Sequence, residues 1–426
     1  MNPATISRVH GRRVWDSRGR PTVEAEVTLA GGATGRAIAP AGASRGAREA
    51  IDLRDGGTRF GGFGVDQAVA NVNGPIAKAL AGLDACNQFA VDTTLIHLDG
   101  TPDKARLGGN ATVAASMAVA QAAAAVRGVP LWRYLAGDNA VSLPLPEIQI
   151  FGGGAHASGA LDLQDLMVMP IGATTFVDAI SMVAEIYRAA GGLLADAGKL
   201  AGVADEGGFW PTFATNEEAL IMLMRAIERA GLRPGVDAAL SLDIAASELE
   251  RDGRYTLALE GRTLDRGQMA QMLLGWLDRF PIASIEDPFG ENDIEGWAMF
   301  AREARGRVQI VGDDYLTTNA PRVNAAAADG TCNAVLVKVN QAGTLTEAKA
   351  ALDAGKRAGF GTIVSARSGE TEDVAIAHLA VGWNAGQLKV GSFARGERTA
   401  KWNEVLRIEE ALGNAARYAG AAALPK

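Results

Sequence analysis

The sequence predicts an α/β protein: a (β/α)-type barrel preceded by a smaller α+β domain. Two observations carry this. From about Val141 the chain turns into short apolar runs, each followed by a polar cluster and then a helix-like stretch, which is the pattern of parallel βα units. Six of these runs, "LSLDIAAS", "IASIEDPF", "VQIVGDDY", "AVLVKVNQ", "GTIVSARSG" and "GQLKVGS", end in Asp243, Glu286, Asp313, Lys338, Arg367 and Lys389. After a first interval of 43 residues the others are 27, 25, 29 and 22, close to the roughly 25–30 residues of one strand, one helix and two loops, so six functional groups are expected at one barrel mouth.

The first domain, residues 1–140, opens with "TVEAEVTLA" and "TGRAIAP" around a "GG" turn, read as an antiparallel meander with one wet face. "VDQAVANVNGPIAKALAG" and "ATVAASMAVAQAAAAVRG" carry apolar residues at helical spacing and end at Gly. The alanines of the second imply close helix packing. The second domain, residues 141–426, holds the barrel.

Composition narrows the function. With 48% hydrophobic and 21% charged residues over 426 positions, the chain has material for one large or two moderate cores and is not of the disordered class. A net charge of −8 with no basic cluster speaks against a nucleic-acid surface, leaving a small-molecule partner. Cys86 and Cys332 form no disulfide framework and are expected as small buried hydrophobes, which suits a reducing, cytoplasmic setting. No apolar signal core and no membrane-spanning uncharged run of about 18 residues is expected.

Asp243, Glu286 and Asp313 on successive strand ends make a three-carboxylate oxygen cage, which suits Mg²⁺ better than Zn²⁺ because no His or Cys accompanies them. Lys338 and Lys389 follow on later strands, where a divalent ion and crowded cations are expected to lower a lysine pKa toward that of a base. Arg367 and Ser368 form a pair suited to phosphate or carboxylate, while Ala366 before them contributes only space.

The strings "DSRGRPTVEAEV", "VNGPIAKAL", "VADEGGF", "SIEDPF", "VGDD", "SGETED" and "KWNEVLRIEEALG" run over almost the whole chain and resemble the enolase family. The resemblance implies an enolase-like modified (β/α)8 barrel with a small N-terminal capping domain. It also implies two Mg²⁺ ions, one tight and one arriving with substrate, and a homodimer or higher homo-oligomer. A lysine base beside magnesium-stabilised ene-diolate is the chemistry of such sites. By motif, Asp243, Glu286 and Asp313 match the ligands of the tighter magnesium, and Ser44 in "PAGASRG" matches the loop serine of the second. Lys338 matches the base that removes the proton alpha to a carboxylate. Glu206 in "VADEGG" matches the general acid, and Lys389 matches the lysine on the carboxylate side. Arg367 and Ser368 match the phosphate-binding pair, and His156 in "GGGAHASG" matches the mobile-loop histidine.

The departures cluster at one side of the implied substrate. Ala366 stands where the family pattern has histidine, and Asp165 in "LDLQDLMVMP" stands for the glutamate that partners the general acid, one methylene shorter. Gly152 and Ala155 replace polar residues near His156. Ala41 and Arg45 replace Ser and Thr in the first lid loop, where Arg45 adds a cation for extra anionic charge on a substrate. The pattern suits an enolase-family enzyme that handles a small anionic phosphorylated or phosphono substrate, with a larger, differently substituted or nucleotide-activated phosphorus group. An ordinary enolase and a non-catalytic paralogue are the alternatives.

Overall fold

The computed structural model describes residues 2–157, 159 and 161–425. The loop "FGGGAHASGA" is therefore described except for Ser158 and Ala160. Met1 and Lys426, at the outer ends of the two expected domains, also lie outside the described residues.

Strands β1 (Ile6–Trp15), β2 (Pro21–Leu29) and β3 (Thr34–Ile38) form an antiparallel sheet in that order. The expected wet face is only partly wet. Glu24 on β2 is buried under Arg12 of β1 and Arg36 of β3, because a buried carboxylate on a central strand needs cationic cover. The helix Gly109–Val126 packs on β2 and β3. At Gly35 a Cβ would stand 2.1 Å from the Ala122 nitrogen and 2.3 Å from the Ala118 oxygen, so glycine on the strand and alanine on the helix set this close approach together. Contrary to the sequence expectation, this helix is long and apolar enough by length and composition to cross a bilayer. Its strongest 18-residue window is 83% buried inside the protein, as a core helix is.

The other N-terminal helical stretch runs as Asp66–Asn71, a π-helical turn Val72–Ile76 and Ala77–Leu80. Pro75 lacks an N–H and cannot close an ordinary α-helical ladder, which accounts for the wider turn. Cys332 is buried, and burial pushes its thiol up to about 12; Cys86 is only half-buried, a departure from the expected pair of buried thiols.

The barrel strands are β4 (Leu145–Gly152), β5 (Asp165–Met169), β6 (Ala239–Asp243), β7 (Ile282–Glu286), β8 (Gln309–Gly312), β9 (Ala334–Val337), β10 (Gly361–Ser365) and β11 (Gly386–Gly391). They pair in chain order, and β11 closes on β4. One expectation needs correcting. β5 is antiparallel to both neighbours, whereas uniformly parallel βα units were expected. The β4–β5 connection carries no crossover helix, and a strand returning over so short a link must run backward. Two helices, Phe176–Asp196 and Asn216–Arg229, then restore the direction before β6. Between them a ribbon of Leu200–Val203 and Phe209–Pro211 pairs onto β4 through Phe209 and Phe151.

Candidate active site

Asp243 and Glu286 close β6 and β7, Asp313 and Lys338 follow β8 and β9 directly, and Arg367 lies two residues beyond β10. Lys389 sits within β11. The register Glu286↔Asp243 brings two of the acids side by side, and the antiparallel register Asp165↔Asp243 adds a third carboxylate from β5. Lys389 Nζ lies 3.0 Å from Asp243 Oδ2, 2.8 Å from Glu286 Oε2 and 3.5 Å from Asp165 Oδ2. Lys338 pairs with Asp313 Oδ2, whose other oxygen accepts from Gln341 Nε2 at 2.8 Å.

Burial pulls the Lys389 pKa down, but Asp243 and Glu286 outweigh it and hold the ammonium well above its ordinary value. Burial and Asp243 together push Glu286 well above the usual carboxylate range, because acids outnumber cations around it. Asp313 lies below its ordinary value: burial opposes this, and Lys338 and Arg367 overcome it. Lys338 itself is raised, since Asp313 outweighs burial. The lowering expected from sequence was for a lysine beside a divalent ion; the protein partners by themselves act the other way, the Asp313 carboxylate outweighing Arg367 and Lys389.

The opposite wall is made of loops. The ribbon turn brings Glu206 and the β4–β5 loop brings His156 to the same space. His156 Nδ1 is 3.0 Å from Asp165 Oδ1, and its Nε2 is 3.7 Å from Glu206 Oε1. Burial opposes charging of this imidazole, but Asp165 and Glu206 overcome it and raise it to about 9. Reciprocally, His156 outweighs burial and holds Asp165 below the usual carboxylate range. Gly42, Ala43 and Ser44 cover the top, and Ala41 exchanges backbone hydrogen bonds of 2.9 and 2.8 Å with Gly369.

These elements surround a small, partly open cavity. Ser44, His156, Asp165, Glu206, Asp243, Lys338, Ala366, Arg367, Ser368 and Lys389 all border it. Glu286 reaches it through Lys389 and Asp313 through Lys338. Arg45 is exposed on the lid loop and is not among the bordering residues. Arg367, expected to hold a substrate anion, is already engaged. Its guanidinium donates to Glu49 Oε2 at 2.9 Å, Glu49 Oε1 at 3.2 Å, Asn340 Oδ1 at 3.0 Å and the Ser44 carbonyl at 3.0 Å. A buried guanidinium requires such partners, and Glu49 holds it above its ordinary pKa against the cost of burial. Ser368 Oγ accepts from Arg18 Nη1 at 3.1 Å.

Sequence reasoning missed Glu49, Gln164, Gln149 and Arg18. Gln164 directly precedes Asp165 and donates to Asp243 Oδ2 at 3.1 Å, so polar residues flanking a singled-out carboxylate were the available signal. Nothing local marks Glu49, which meets Arg367 across 318 residues of chain.

Oxygen donors dominate the charged floor. The buried Glu286 Oε1 and Gln164 Oε1 have no hydrogen-bond partner, and the surplus of acids over cations favours an added positive charge. This donor set fits a hard divalent ion. Among the described residues, His156/Asp165/Glu206 and Asp287/Asp313/Asp314 each bring possible ligand atoms within 4.8 Å of one another. The expected trio does not; in this structure lysine ammonium groups bridge Asp243 with Glu286 and pair with Asp313.

A closed barrel with one reversed strand, an N-terminal domain whose loop reaches its mouth, and acids, lysines and a lid serine around one cavity define an α/β-barrel enzyme. The chain matches the family described as "Enolase, N-terminal domain" over residues 6–135 and that described as "Enolase, C-terminal TIM barrel domain" over residues 140–426. It belongs to the enolase family and is an enolase-superfamily enzyme.

Proposed function

We propose that this enzyme forms an enolpyruvyl ester of a substituted phosphorus acid, and that carboxyphosphonoenolpyruvate synthase, of phosphonate (phosphinothricin-type) antibiotic biosynthesis, is the activity it fits best. The observation that carries this is Ala366. It borders the cavity between Lys389, whose carbonyl accepts its N–H at 2.9 Å, and Arg367, and it offers only a methyl group. A carboxyl group on phosphorus needs space at that point.

In this reading a three-carbon hydroxy acid bears the phosphorus group on its 2-oxygen, taken from the donor as the donor's activating group departs. Lys338 removes the proton alpha to its carboxylate, and Lys389 sets positive charge against the carboxylate oxygens as they gain electron density. Glu206 protonates the 3-hydroxyl, which leaves as water as the enol double bond forms, while Asp165 fixes the His156 imidazolium beside it. Arg367 and Ser368 flank the phosphorus group. Magnesium, held by Asp243, Glu286, Asp313 and Ser44, supplies further charge stabilisation when bound. The substrate is a small anion, with neither nucleic acid nor membrane as partner, and the enzyme works in the cytoplasm as a homodimer or larger homo-oligomer.

Ordinary dehydration of 2-phosphoglycerate is the second reading, favoured by the joint presence of Lys338, Lys389 and Glu206 at one cavity. The test is 2-phosphoglycerate turnover with Mg²⁺ by the wild type and by Ala366→His, alongside a phosphonoformate-derived donor. The proposal expects turnover of the donor, and 2-phosphoglycerate dehydration that is absent from the wild type or gained only with the histidine. Wild-type dehydration at a usual enzymatic rate of about 1–10³ s⁻¹ would overturn it.

A further inference from the structure

Gln149, near the end of β4, is fully buried and joins the two carboxylate-bearing segments of the loop wall. Its Nε2 donates to Asp165 Oδ1, the oxygen that also meets His156 Nδ1. Its Oε1 accepts the Gly208 N–H at 2.8 Å, two residues beyond Glu206. The two bonds fix the orientation of the amide: with the backbone donor on the oxygen, the nitrogen faces the carboxylate. Glycines make the room. A Cβ at Gly208 would lie 2.5 Å from Gln149 Oε1, and one at Gly152 would lie 3.2 Å from Nε2 and 2.4 Å from Ala204 Cβ.

No other side chain hydrogen-bonds both Asp165 and the Glu206 turn among the described residues. Asp165 Oδ2 has no hydrogen-bond partner and meets only the Lys389 ammonium at 3.5 Å, so the hydrogen bonds that orient this carboxylate are those on Oδ1. Movement of either segment would change the 3.7 Å separation of His156 and Glu206. We propose that Gln149 is a positioning residue that sets the spacing between the Asp165–His156 pair and the Glu206 carboxyl, and so governs departure of the leaving group. The catalytic part of this inference rests on the functional reading above.

Two variants separate the arms. Gln149→Leu removes both hydrogen bonds. Gln149→Glu keeps an acceptor for Gly208 and loses the donor to Asp165. Amide exchange at Gly208 is expected to rise about tenfold in the leucine variant and to stay protected in the glutamate variant. The His156 ring ¹⁵N resonance is expected to move in both. With 2-phosphoglycerate or the phosphonoformate-derived donor, kcat is expected to fall about 10²-fold in both while KM holds, as for a misplaced catalytic group. Wild-type protection of Gly208 in the leucine variant, or wild-type kcat in the glutamate variant, would overturn the assignment. If neither substrate is turned over by the wild type, the functional reading fails, and the Gly208 exchange and His156 resonance alone decide whether Gln149 holds the wall.

Discussion

The cavity has two unlike walls. On the strand wall, Asp243, Glu286, Asp313, Lys338 and Lys389 project from β6–β9 and β11, and adjacent strands fix their separations through backbone hydrogen bonds. On the loop wall, Ser44, His156 and Glu206 come from connections whose course depends on glycines and on single side-chain bonds. At Gly42 a Cβ would meet an Arg367 nitrogen at 2.0 Å, and at Gly207, φ +91°, it would meet the Ala394 oxygen at 2.0 Å. The difference teaches where change is tolerated. A residue on the strand wall can be exchanged only for its chemistry, whereas the loop wall can be re-aimed by changing residues that never touch substrate.

The largest expected effect belongs to the strand wall. Lys338→Ala should lower kcat by about 10²–10⁴-fold in steady-state kinetics, the range for a lost general base, and should also lower the melting temperature of metal-free protein, because it takes the ammonium partner from the buried Asp313 carboxylate. A loss exceeding that of Lys338→Ala in a variant that leaves Lys338 intact but re-aims the loop wall would erase the distinction between the walls.

An intermediate effect is expected from Gly207→Ala. Its Cβ clashes with backbone and its left-handed φ disfavours alanine, at a cost of about 1–3 kcal/mol. The turn should shift and carry Glu206 with it, so activity should fall more than urea stability does. Equal losses of both would make this turn a structural element only.

The effect expected to be smallest on activity is the pH dependence of the loop wall, which is read as stability. His156 is raised from 6.5 to about 9 by Asp165 and Glu206, against burial. Its contribution to stability is therefore complete below pH about 6.5 and lost as pH rises through about 9. Thermal melts of metal-free protein should show this decline, and His156→Gln should flatten it. An unchanged slope in the variant would move its origin to another group.

The barrel was legible because strand ends recur at a regular spacing, and polar residues at those ends stand out against apolar runs. The reversed β5 was not, since its apolar pattern resembles that of its parallel neighbours and only the missing crossover helix distinguishes it. Likewise, the lid loop offered Arg45 as the visible cation, yet that side chain is exposed, while Arg18, in the turn that opens the string "DSRGRPTVEAEV" and given no role there, reaches Ser368 across 350 residues.

By itself the sequence determined which chemical groups this protein carries and that most of them end barrel strands, because periodicity and turn chemistry are local. Only the tertiary structure decided their partners: Glu49 on Arg367, Asp313 on Lys338, and Gln149 between Asp165 and Gly208. Buried charges and amides must find partners wherever the fold brings them, and those contacts join segments too far apart in the chain for any local pattern to record.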